Sequence, residues 1–199
     1  MAKQPIDFWF SIGSMYTYLA VMRLPEVAAK SGTTFRWRPF SVRAIMIEMD
    51  NVPRNKPLKL AYMWRDLRRR AQMHGFPFRQ QPSYPLQNFD LANRIAVVGA
   101  EEGWCADYAR AAYRRWFLDH DEAGSDSNNQ ASLREVGHDP ERVIERTNSE
   151  EVGAKYLAST DEARKLGIFG APTFVVGQEI FWGDDRLEDA LAWRQKNER

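Results

Sequence analysis

The stretch IDFWFSIGSMYTYLA, Ile6 to Ala20, changes its hydrophobic period in the middle. Ile6 to Phe10 is short, apolar and rich in β-forming aromatics, which reads as a buried strand. Gly13 and Ser14 break it, and Tyr16, Leu19, Ala20, Met22 and Val27 then recur at helical spacing as far as Lys30. Pro25 is expected to kink that helix. Ser31-Gly32 ends it, and Thr33 to Phe40 alternates as a second strand. Strand, helix and parallel strand in so short a span make a βαβ unit, and such crossovers are right-handed.

Downstream the pattern turns helical. Pro57 opens a helix that runs from Leu58 to His74, stopped by Gly75-Phe76-Pro77. Gln80 to Leu86 reads as loop, Leu91 to Glu102 and Ala106 to His120 as two amphipathic helices, and the polar run Asp121 to Ser132 as a solvated loop. Pro140 and Ser149 mark two further helix starts. Strands return at Thr173 to Val176 and Glu179 to Trp182, around a Gly177-Gln178 hairpin turn, and Asp184 begins a last helix over Leu187 to Trp193. The order βαβ, helices, ββα is that of an α/β thioredoxin-like fold with a large all-helical insertion. Residues 1–45 and 167–199 would form the thioredoxin-like part and residues 46–166 the inserted helical domain.

Composition narrows the function. Of 199 residues, 28 are basic and 27 acidic, a balance unlike that of proteins that coat nucleic acid or anionic membranes. The single cysteine, Cys105, excludes an intrachain disulfide and a CxxC redox centre, and a small buried apolar role is expected for it. The three histidines are scattered, so no metal site is expected. No apolar run is long enough to span a bilayer, and the Met-Ala-Lys-Gln-Pro start has no signal-peptide core, so a soluble cytoplasmic protein is expected. The run Arg65 to Arg70 reads as a solvated helix face, and the methionines, Met15, Met46, Met49, Met63 and Met73 among them, as packing residues.

Two places could carry chemistry. Ser14 stands where the first strand turns into the first helix. It reads first as an N-cap, and second as a hydroxyl beside an anion-attracting helix end, while Ser11 points elsewhere. Pro172 precedes a strand, and a cis Ala171–Pro172 bond there would present the Ala171 backbone to an extended ligand.

Phe8 to Ala20 resembles the opening of the 2-hydroxychromene-2-carboxylate isomerase family, relatives of kappa-class glutathione transferases and more distantly of DsbA. Trp37-Arg38-Pro39-Phe40, the Asn51 to Asp66 stretch with Lys59 and Tyr62, Gly167 to Thr173 and Phe181 to Leu187 agree with it in the same order. The resemblance implies a glutathione-dependent isomerase of 2-hydroxychromene-2-carboxylate or a related aromatic α,β-unsaturated acid. It implies Ser14 as catalytic serine, with Met15 where the family usually carries proline. Asn51 and Lys59 would hold the glycine end of glutathione, Ala171 with Pro172 its cysteinyl moiety, and Asp184 and Asp185 its γ-glutamyl group. Tyr16, Trp37, Arg38 and Phe40 are the candidate substrate wall, with Tyr18, Trp64 and Tyr84 also available. A homodimer is expected from the resemblance. A kappa-type transferase, and a thioredoxin-fold peptide-binding module without turnover, remain alternatives.

Overall fold

In the computed structural model, residues 4–78 and 80–197 are described. β1 (Ile6–Phe10) is joined by α1 (Met15–Ser31) to β2 (Phe35–Pro39), its parallel neighbour, in the register Ile6 against Phe35. α1 runs on through Pro25 and stops at Gly32, whose positive φ of 64° lets its N–H reach the carbonyl of Ala28. A helical segment follows: α2 (Val42–Glu48), α3 (Pro57–Met73), α4 (Phe89–Glu102), α5 (Cys105–Arg114), α6 (Asp126–Glu135), α7 (Pro140–Thr147) and α8 (Glu150–Lys165). The chain then returns as β3 (Thr173–Val176), antiparallel to β1, and β4 (Glu179–Trp182), before α9 (Leu187–Asn197). The sheet order is β2-β1-β3-β4, the mixed sheet of a thioredoxin-like fold.

β1 is paired along both edges, and both its faces are covered. Phe8 and Phe10 stack with Phe174 and Trp37 on the face that α1 and the insertion share, whereas Trp9 packs with Phe40, Val175 and Ile168 on the other. The larger cluster unites Tyr18 and Leu19 with Trp64, Ile95, Tyr108, Tyr113 and Phe117, so strand-forming and inserted segments share one core. No helix among the described residues is long and apolar enough to cross a membrane.

One helix was not foreseen, and two sequence expectations are corrected. α2 was not foreseen, because it is only seven residues long and buries only Val42 and Ile45; the expected domain boundary after residue 45 falls inside it. The polar run 121–132 is not a loop, since α6 begins within it, capped by the Ser125 hydroxyl. Its buried face is built of amides: Asn128 donates to the carbonyls of Ala112 and Asp121, and Asn129 accepts from the Tyr108 hydroxyl. A helix that buries amides cannot show an apolar period. Met49 and Met73 are exposed rather than packed, while Cys105 is buried as expected, with its thiol pushed up by burial.

The turn from β1 to α1 is held from the insertion. Asn93 of α4, fully buried, accepts from Ile12 N–H at 2.7 Å and donates to the carbonyls of Ile12 and Phe89 at 2.9 and 2.8 Å. Tyr113 of α5 shares its hydroxyl proton between the carbonyls of Ser11 and Ser14, at 3.0 and 2.9 Å. Gly13 lies between them at φ +117°, where a Cβ would stand 2.5 Å from the Phe89 ring. Asn93→Ala leaves both polar groups of the Ile12 backbone buried and unpaired, so a loss of about 3 kcal/mol is expected on urea unfolding. A loss below about 1 kcal/mol would show that the turn holds without the amide.

Candidate active site

A cleft of about 530 Å³ opens where the start of α1, α3 and the segments around Ala171 and Gly183 meet. That volume suits a small molecule with several polar groups. The bond before Pro172 is cis, as is Tyr84–Pro85, which also lines the cleft. α3 lines the cleft with one residue per turn, Tyr62, Asp66 and Arg70, together with Lys59 and Met63. Cations outnumber carboxylates in the lining, which favours an anionic ligand.

Ser14 takes the N-cap position of α1, with φ −81° and ψ 123°, yet its side chain makes no capping bond. Its hydroxyl donates instead to the Ala171 carbonyl at 2.7 Å, across the cleft floor from one half of the fold to the other. The N-cap reading is therefore right about position and wrong about the bond. Ser11 is fully buried and turned away, as expected. Met15, which stands in place of a turn-fixing proline, is buried in the main cluster. The turn's geometry comes from Asn93 and Tyr113 instead.

The two ends of the cleft differ. At one, Lys59 donates to the side-chain oxygen of Asn51 at 2.6 Å, so these candidates do meet. At the other, Asp184 and Asp185 both line the wall with unlike surroundings. Asp184 keeps only 3% of its side chain exposed, and Arg70 donates to its Oδ2 from Nε and Nη2 at 3.0 and 2.6 Å. Burial pushes the Asp184 carboxyl up, Arg70 pulls it down and Asp185 adds to the rise, leaving it above the usual aspartate value. Asp185 is open to solvent and pairs with Arg186 at 3.0 Å. Arg70 thus leaves the solvated face foreseen for residues 65–70; the i, i+4 register with Asp66 and Tyr62 was the overlooked signal.

Of the candidate substrate wall, Tyr16 lines the cleft and donates to Asp66 at 2.9 Å; burial and that carboxylate push its phenol up, so it stays protonated. Trp37, Arg38 and Phe40 lie elsewhere. Trp37 packs edge-on between Phe8 and Phe10, Phe40 is fully buried against Trp9, and Arg38 stacks on Trp9 and pairs with Glu162. The β-pleat points Trp37 and Arg38 to the two faces of the sheet, Phe40 follows directly after β2, and none of the three lines the cleft. Tyr18 and Trp64 are core residues, whereas Tyr84 lines the cleft. Sequence reasoning missed Arg43 and Phe89, which lie outside the matching stretches, and passed over Arg54 and Trp182 within them.

A mixed sheet, a cis-proline and a helix start facing one cleft define a thioredoxin-type protein, and a DSBA-like thioredoxin domain matches residues 5–192. Within that class the chain belongs to the 2-hydroxychromene-2-carboxylate isomerase family. It is 30% identical to the 2-hydroxychromene-2-carboxylate isomerase of Sphingobium xenophagum, over 92% of this chain and 94% of that one. It is 26% identical to glutathione S-transferase kappa 1 of Caenorhabditis elegans, over 94% and 89% of the two chains. A solved 2-hydroxychromene-2-carboxylate isomerase superposes with a TM-score of 0.85 at 27% identity, covering 98% of each chain.

The Arg70–Asp184 pair has a pH signature. A carboxyl raised in the folded state favours folding at low pH, and that contribution is lost as pH rises from the unfolded value through the folded one. Removing Arg70 raises it further, so Arg70→Met is expected to cost about 3 kcal/mol near pH ~8 and clearly less near pH ~4. Adding Asp184→Asn should recover most of the loss at the higher pH, measured by denaturant unfolding. Equal losses at both pH values, or no recovery, would refute a charge-based role for the pair.

Proposed function

We propose that this chain is a glutathione-dependent isomerase acting on 2-hydroxychromene-2-carboxylate or a related aromatic α,β-unsaturated acid. The observation that carries the reading is the Ser14 hydroxyl bonded to the carbonyl of Ala171, the residue before cis Pro172, on the floor of a cleft with distinct charged ends. The names of the relatives support the same reaction and the same cofactor.

The donor set fits glutathione. Lys59 with Asn51 suits a carboxylate, the Ala171 backbone suits an extended peptide, and Asp185, with Asp184 behind it, suits an ammonium. Asp184 is committed to Arg70, so Asp185 would meet the ammonium directly and Arg70 the neighbouring carboxylate. Bound glutathione would supply a thiolate that adds reversibly to the conjugated double bond, so that rotation can precede its elimination.

The residues of the chain prepare that step. A peptide N–H arriving at the Ala171 carbonyl competes with Ser14 for it, and the Ser14 proton then turns toward the sulfur. That hydrogen bond and the N-terminal end of α1 both favour the thiolate, by ~1.4 kcal/mol for each unit by which its pKa falls. Tyr113 and Asn93 hold the serine still while its proton moves.

Ser14→Ala is expected to lower turnover at least ~100-fold while glutathione affinity changes only a few-fold, and to raise the pKa of the bound thiol in an ultraviolet thiolate titration. Lys59→Ala should weaken glutathione by ~10-fold or more in calorimetry and leave that pKa in place. Full activity in Ser14→Ala would refute the activation role. Consumption of glutathione with each turnover would replace isomerisation by kappa-type conjugation, and no glutathione binding would favour a peptide-binding module.

A further inference from the structure

The wall that offers Asp184 and Asp185 to the cleft is a short stretch between β4 and α9, and three parts of the fold hold it. The Gly183 N–H donates to the carbonyl of Pro172 at 2.9 Å, which ties the wall to the cis-proline loop. Arg70 of α3 grips the Asp184 side chain. The third hold is on the backbone. Arg23 of α1 donates from Nη1 to the Asp184 carbonyl at 2.9 Å and pairs through Nη2 with Glu188, in the first turn of α9.

Arg23 lies behind the wall, outside the cleft lining, with 11% of its side chain exposed. A planar guanidinium that reaches two acceptors fixes their separation as well as their direction, here across the joint between the wall and α9. The carbonyl it holds belongs to the peptide plane that continues into Asp185. Because that plane is rigid, fixing the Asp184 oxygen also fixes the Asp185 nitrogen, and with it the base from which the exposed carboxylate is aimed. The charge of Arg23 also helps the buried Asp184 carboxyl to stay ionised.

The same helix carries the serine. Ser14 stands at the N-cap of α1 and Arg23 follows about two and a half turns later. One element therefore sets the hydroxyl at one point of the cleft and the acidic wall at another. We infer that Arg23 is a positioning residue for the γ-glutamyl group of the cofactor, acting through the Asp184 peptide and the Glu188 anchor to hold Asp185 at a set distance from Ser14. The inference rests on the proposed function and adds a residue that touches neither cofactor nor substrate.

The test compares three thiols by calorimetry: glutathione; γ-glutamylcysteine, which lacks the glycine; and cysteinylglycine, which lacks the γ-glutamyl group and is read by displacement of glutathione. Arg23→Gln is expected to weaken glutathione and γ-glutamylcysteine by ~10-fold or more and to change cysteinylglycine by less than about twofold. Lys59→Ala should show the opposite pattern, sparing γ-glutamylcysteine alone. Glu188→Gln leaves Arg23 in place and removes its exposed anchor; a loss of at least ~3-fold for the same two γ-glutamyl thiols is expected, which keeps the inference testable if Arg23→Gln does not fold. Unchanged affinities in the folded variants, or equal losses for all three thiols, would overturn the positioning role, because a merely structural residue does not distinguish one end of the ligand. A wild type that binds none of the three removes the cofactor and this role together, whereas wild-type binding that the Arg23 and Glu188 variants leave intact removes only the role.

Discussion

The four-residue turn Ser11–Ser14 depends on groups that the first strand and helix do not contain. Asn93 pairs with both polar groups of Ile12, and Tyr113 ties the carbonyls of Ser11 and Ser14 together. Without these contacts the turn would bury unpaired backbone groups, a cost comparable to a sizeable part of a domain's net stability. The insertion is thus the scaffold that aims the serine. A turn stiffened by proline would need less outside help; with Met15 there, the restraint lies in α4 and α5.

The cleft that results is electrically divided. One end offers exposed and buried aspartates braced by Arg70 and Arg186, the other an amide-bound lysine. A zwitterionic tripeptide with net negative charge matches such an arrangement better than a neutral peptide does, because each charged end meets its complement. The Asp184–Arg70 pair is costly to desolvate and gains from its two short bonds, so its value lies in fixing the wall of the site as much as in stability.

Much of this was legible in the residues. The strand-to-helix switch at Gly13-Ser14, the hairpin at Gly177-Gln178 and the return to strands at Thr173 all follow from local period and turn chemistry, and all are present. α6 was hidden because Asn128, Asn129 and Ser132 face inward and satisfy one another and the backbone, a pattern with no hydrophobic signature. Trp37 and Phe40 looked like substrate contacts for the opposite reason: large aromatics next to a matching motif, which the sheet uses for its own two faces.

By itself the sequence determined the order of the strands and of most helices, the absence of an intrachain disulfide or a CxxC redox centre, and the two loops, around Ser14 and Pro172, that could carry chemistry. Those properties reside in short stretches of chain, where turn residues and side-chain period act locally. Which residues line the cleft was decided only in three dimensions. Arg43, Arg54 and Phe89 come from α2, the segment after it and the start of α4, and they line the same cleft as Ser14 because the insertion folds back over the sheet. Distance along the chain carries no information about that approach, since it is fixed by packing of one shared core and by the buried hydrogen bonds that close it.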